Sequence, residues 1–401
     1  MLCFHKIFFI VLIGFSLFLL SLPVSALEGL NHNFQFHGFL SQGYVLTSDN
    51  NYYGGSDDDG SFDFREIGVN ASYRPIPLLQ FSAQILSRFA GESDDGDVRL
   101  DYGFVDYRFL DKDAGWAAFR IGRIKTPYGL YNETRDVAAT RPSIFLPQSI
   151  YFDRGRDLAL SADGIQLNGE YRTKYGNLFL HAGAGKPKIK GREIEASLLG
   201  SNLPGDLDDE ISYNARLMYE KEGGRLRFAF TWAQLNIDYD SSGSYLNDPD
   251  NGSIRFEPCI ISAQLNEEKW SLTAEYALRK VKYKEFGCSF MNRTITGESY
   301  YLQASYRFLR NWEGMVRYDL LFSDKDDPNG TKSERPGHPH YSFFAKDLTF
   351  GLRWDITKSL MLRGEYHYVN GTAWLTHEDN QDASKTREYW NLFSIMMSYY
   401  F

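Results

Sequence analysis

Between Thr126 and Leu160 the sequence gathers side chains that could bind or steer ions: Arg135, Arg141, Arg154 and Arg156 beside Glu133, Asp136, Asp153 and Asp157. A guanidinium stays charged and grips carboxylates or phosphates with paired donors. The acids nearly cancel the bases. Opposed acidic and basic sides of a narrow passage would set a transverse field with weak selectivity. Pro127, Pro142 and Pro147 interrupt the stretch, which has neither strand nor helix period. A patternless segment of this length is usually functional.

Other chemistry is poorly supplied. There is no Gly-x-Ser-x-Gly elbow, no His-Glu-x-x-His and no Cys-His cluster. His32, His37, His181, His338, His340, His367 and His377 are scattered, so no catalytic residue, metal site or cofactor is expected. Acidic clusters such as Asp57-Asp58-Asp59-Gly60 resemble fragments of calcium loops but lack the bidentate Glu at the required spacing. They read as solvated loops that divalent ions bridge to lipopolysaccharide phosphates. A net charge of -9 argues against nucleic acid as a partner.

The elements that position the charged stretch are strands. Ala117, Phe119 and Ile121 alternate with Ala118, Arg120 and Gly122 before it, and Ile165, Leu167 and Gly169 alternate with Gln166 and Asn168 after it. The same period of two recurs from Asn33 onward in about sixteen segments of roughly ten residues, the length of a tilted membrane-crossing strand. Short connections (Arg74 to Leu78, Leu110 to Ala114, Lys174 to Asn177) alternate with long ones (Ser48 to Ser61, Phe89 to Val98, Thr126 to Leu160, Pro187 to Asp209). That asymmetry predicts an all-β transmembrane antiparallel barrel with short periplasmic turns and long extracellular loops.

One face of each strand is apolar, as in Ile67, Val69, Ala71 and Tyr73, or Leu226, Phe228, Phe230 and Trp232. The other face carries Arg120, Arg216, Arg227, Arg279, Arg317, Arg353 and Arg363, interleaved with Glu66, Asp106, Glu170, Glu220, Glu275, Glu313, Asp319, Asp355 and Glu365. An Arg facing hydrocarbon at the midplane costs about 2 to 4 kcal/mol, so these residues line an interior. About sixteen strands leave that interior water-filled.

The chain ends agree. Lys6, an apolar run from Ile7 to Leu22, Pro23 and Val24-Ser25-Ala26 predict a signal peptide over 1–26 with cleavage after Ala26. The barrel then spans 27–401, with 126–160 folded into its lumen as a constriction. Cys259 and Cys288 remain after export, toward the extracellular side of one hairpin; pairing them requires Cys288 to fold back within about 7 Å. The aromatic content of 16% beside a mean hydropathy of -0.40 fits a wall apolar outside and polar inside.

Two resemblances add to this. Phe393, Ile395, Met397, Tyr399 and Phe401 end the chain in a pattern that resembles the assembly signal of outer-membrane proteins. Arg120-Ile121-Gly122-Arg123-Ile124-Lys125-Thr126-Pro127-Tyr128-Gly129-Leu130 resembles the strand and loop start of phosphate-selective (porin O/P-like) porins, and the strand arrangement resembles sixteen-stranded general porins. The resemblance implies a homotrimer in the bacterial outer membrane, in contact with lipid and lipopolysaccharide. It also implies a third loop bent into the lumen and passive diffusion of small hydrophilic solutes and ions. A substrate-specific, anion-selective channel, or an adhesin or enzyme on the same barrel, is the alternative.

Overall fold

The alternating pattern becomes a ring of antiparallel strands in the computed structural model, which describes residues 33–189, 192–199, 205–242, 250–287 and 292–401. The expected signal peptide and Cys288 lie outside the described residues. The first strands are β1 (Phe34–Thr47), β2 (Ser61–Ile76), β3 (Leu79–Ala90), β4 (Asp95–Lys112), β5 (Gly115–Lys125), β6 (Ser161–Thr173) and β7 (Gly176–Pro187). Next come β8 (Gly205–Asp209), β9 (Ser212–Lys221), β10 (Leu226–Ser241), β11 (Gly252–Asn266) and β12 (Trp270–Lys284). The ring is completed by β13 (Thr294–Leu309), β14 (Trp312–Phe322), β15 (Phe344–Asp355), β16 (Leu360–Gly371) and β17 (Tyr389–Tyr400).

These 17 segments make sixteen strands, because β8 and β9 lie end to end along β10, with Asp209 opposite Ile237 and Tyr213 opposite Gln234. The break is stitched by Asn236, whose Nδ2 donates to the carbonyl of Ile211 at 2.7 Å and whose N–H donates to Ser212 Oγ at 3.0 Å. β1 closes the ring against β17, from Phe39 opposite Tyr400 to Thr47 opposite Leu392. Closure pairs each of the longer strands on both sides, and among the described residues only the short β8 is paired on one side alone, with β10.

Parity decides what each residue meets. Ile67, Val69, Phe81, Ile85, Leu302 and Phe350 are exposed on the outer face, whereas Glu66, Arg88, Glu275, Arg317 and Arg363 are buried inside. Near the short turns Trp312 and Trp354 face each other across β14 and β15 with ring centroids 5.2 Å apart, at the level where amphipathic rings suit the headgroup boundary. One connection differs from its sequence reading. β3 and β4 continue through most of the stretch expected to be a long loop from Phe89 to Val98, leaving residues 91–94 as a tight turn. Gly91 supplies a φ of +57° there, and the Ala90 N–H donates to the carbonyl of Asp94 at 2.8 Å.

The interior is partly filled. Tyr52 and Tyr53 from the β1–β2 loop, Phe145 from the β5–β6 segment, and Trp374 from the β16–β17 loop pack on Phe64, Trp390 and Met396 of the wall.

Candidate functional site: the segment inside the barrel

Thr126–Leu160 leaves the wall where Pro127 cannot continue the β5–β6 ladder, and its neck is closed by the Thr126 N–H donating to the carbonyl of Leu160 at 3.2 Å. Gly129, at φ +58°, turns the chain so that the N–H groups of Leu130 and Tyr131 reach Tyr151 Oη at 2.7 and 3.1 Å. A Cβ at Gly129 would collide with that hydroxyl. Tyr151 in turn donates to Glu275 of β12 at 2.6 Å. Glu275 also accepts from Ser262 at 2.6 Å and Tyr301 at 2.8 Å, so this buried carboxylate is satisfied by hydrogen bonds without a cation.

From that anchor the segment binds side chains around the ring. On β2, Glu66 accepts both terminal nitrogens of Arg141, at 3.0 and 2.8 Å. On β16, Arg363 donates to the carbonyls of Ala138 and Arg141 at 2.8 and 2.6 Å, and Glu365 accepts the N–H groups of Ile144 and Phe145. On β14, Arg317 donates to Ser143 Oγ and the carbonyl of Phe145 at 3.0 and 3.1 Å, and Asp319 accepts the Ser149 N–H at 3.3 Å. On β9, Arg216 holds the Gly129 carbonyl at 3.0 Å and Glu133 at 2.5 Å. β2 and β9 lie far apart in the strand order, as do β16 and β12.

The charges of the segment are interleaved in one buried network. Asp153 meets Arg135 at 3.1 Å, Arg88 of β3 at 3.3 Å and Arg156 at 3.5 Å. Arg156 also pairs with Asp136, which shares Lys125 with Asp101 of β4, both at 2.5 Å. Tyr53 adds a hydrogen bond to Asp153 at 2.6 Å. Burial alone would push the Asp153 carboxyl up, but Arg88, Arg135 and the bonds from Tyr53 and Gln148 hold it below its ordinary value. Burial opposes ionisation of Glu133 as well, and Arg216 outweighs it. Asp157 has no ion pair among the described residues, and burial raises its carboxyl.

Arg135, Arg141 and Arg156 are therefore buried in pairs, while Arg154 stands apart, with its Nε 3.0 Å from Ser197 and 3.6 Å from Glu193. Both partners belong to the short helix Arg192–Leu199. Of the expected wall residues, Arg216, Arg317 and Arg363 hold the segment. Arg120 pairs with Asp106 at 3.1 Å, Arg227 with Glu220 at 2.9 Å and Arg353 with Asp355 at 2.7 Å, on the half of the barrel nearer the short turns. Arg279 has no ion pair among the described residues, only a hydrogen bond to the Phe322 carbonyl at 3.3 Å. The anchoring roles of Glu66 and Glu275 are not separable from those of other inward acids by alternation alone, and Asp101, opposite in parity to Asp106, is missed because it faces inward through a register shift in β4.

Sixteen closed strands, apolar outward residues and a charged interior entered by one long segment make up the fold of outer-membrane porins. The chain is similar to an anion-selective porin from Comamonas acidovorans, with TM-score 0.57, 14% identity, and 92% of this chain and 99% of that one covered. It is similar also to OmpT of Vibrio cholerae (0.57, 14%, 92% and 97%) and to OprB of Pseudomonas putida (0.54, 12%, 94% and 96%). No family model and no curated protein matches the sequence, so the likeness is one of fold.

Proposed function

We propose that the protein is an outer-membrane porin, a water-filled channel for passive diffusion of small hydrophilic solutes and ions, with Thr126–Leu160 as its constriction. The observation that carries this reading is the segment's hydrogen bonding to inward side chains of β2, β9, β12, β14 and β16. In this reading Arg135, Arg141, Arg156, Asp136 and Asp153 fix the shape of the opening. Glu133 and Arg154, each with a side chain 28% exposed, touch the aqueous path. The paired charges near the short turns nearly cancel, which favours weak ion selectivity.

A homotrimer is supported by a flaw in the lipid face. Between β4 and β7 an outward hollow of about 570 Å³ is lined by Gly103, Ile121, Ile165 and Ala184 and edged by the Arg123–Asp163 ion pair at 2.8 Å. Charges at outward positions favour a protein neighbour over hydrocarbon. Lipid contacts the remaining apolar band, and lipopolysaccharide contacts the long loops. The reading needs no cofactor and no catalysis. The test is insertion of the purified barrel into planar bilayers: stepwise ohmic currents with a reversal potential near zero in a salt gradient are expected. Folded protein that gives no steps contradicts the proposal.

A further inference from the structure

On the loop side of the inserted segment lies a cavity of about 220 Å³ whose walls are mostly apolar, among them Phe152, Leu158, Phe256, Tyr283, Leu321 and Trp374. Two guanidiniums, Arg154 and Arg279, also line it, and no carboxylate does among the described residues. Arg279 packs its guanidinium 5.9 Å from the centre of the Phe152 ring, which meets Phe256 edge-on at 6.4 Å. A half-buried cation with one hydrogen bond and no ion pair among the described residues is costly, and an arriving anion would offset that cost. Arg154 is only partly compensated, since Glu193, which is not among the lining residues, is 3.6 Å away.

We propose that this cavity is a binding subsite for small organic anions that join an aromatic ring to a carboxylate. The ring would lie among Phe152, Phe256 and Trp374, and the carboxylate on Arg279 and Arg154. An apolar cavity of about 150 Å³ already holds benzene, so the volume here takes a ring and its carboxylate. A purely inorganic anion would leave the aromatic wall unused, a neutral ring would leave both guanidiniums uncompensated, and an organic cation would be repelled. The subsite deepens the channel reading, on which it rests where occupancy is measured as interruption of current.

Benzoate is the probe. Added on the loop side of single channels, it should interrupt the current in a concentration-dependent way, whereas benzylammonium, of similar shape and opposite charge, should not. Arg279→Gln and Arg154→Gln should each weaken the effect by about tenfold, as loss of a charged hydrogen bond implies, and Arg279→Lys should restore part of it. Calorimetry on the detergent-solubilised barrel measures the same binding without current. If the barrel conducts nothing, the channel reading falls while calorimetry still decides the subsite. No heat from benzoate, equal binding of benzylammonium, or unchanged affinity in both folded glutamine variants would overturn the proposal.

Discussion

Arg141 and Glu66 form a two-pronged ion pair inside the barrel, Nη1 to Oε1 at 3.0 Å and Nη2 to Oε2 at 2.8 Å, joining the inserted segment to the wall of β2. Arg141→Gln leaves Glu66 with only Arg88, 3.7 Å away. Removing one partner of a buried pair costs about 3 to 5 kcal/mol. The barrel, held by its own ladder, should still close. The segment should loosen, raising open-channel noise and amide exchange between Asp136 and Leu146; exchange equal to wild type would show the pair to be dispensable.

Tyr151 and Tyr301 both donate to Glu275, at 2.6 and 2.8 Å, yet only Tyr151 belongs to the segment. Each Tyr→Phe change removes a hydrogen bond to a charged group, about 1.5 to 3 kcal/mol. Unfolding midpoints in detergent should fall for both variants. Conductance should change only for Tyr151→Phe, which also strips the Tyr131 N–H of its acceptor and leaves the Leu130 N–H only Glu275, at 3.2 Å.

Strand positions were legible in the sequence because a barrel residue has two environments, and Ile67 beside Glu66 states both. The inserted segment was legible by residue type and length. Its partners were not: Arg363 and the Arg141 carbonyl, 2.6 Å apart, are separated by 222 positions, and no local pattern encodes such a contact. The break at Glu210 and Ile211 was hidden for a similar reason, since it depends on Asn236 of the neighbouring strand. The turn at 91–94 was misjudged because the acids Asp94 and Asp95 mimic a loop, while the Arg99 guanidinium neutralises Asp94 at 2.7 Å.

Acid should release the segment late. The Asp153 and Glu133 carboxyls are held below their ordinary values, so their ion pairs stabilise the folded segment fully above the unfolded values, about 3.9 and 4.3, and that contribution is lost as pH falls through the lower folded values. Amide exchange around Glu133 and Asp153 should stay flat from neutral pH to about 4.3 and rise only in stronger acid. A rise already centred near neutral pH would point to other groups.

Leu302 is 60% exposed at the middle of β13. Leu302→Arg should destabilise the membrane-inserted barrel by about 2 to 4 kcal/mol. Arg227→Gln, which breaks a part-exposed pair with Glu220, should cost about 1 kcal/mol or less. Equal losses in lipid-based unfolding would mean the two faces are misassigned.

The central claim, that Thr126–Leu160 limits flow through an aqueous lumen, is tested most directly by single-channel conductance of a variant in which a short glycine-serine linker replaces residues 130–154. That change removes the contacts with Glu66, Arg363 and Arg317 while keeping the ladder between β5 and β6, from Gly115 opposite Tyr171 to Lys125 opposite Ser161. The folded variant should conduct several-fold more than the wild type. Equal conductance in the two would place the constriction elsewhere and make the segment's anchors purely structural.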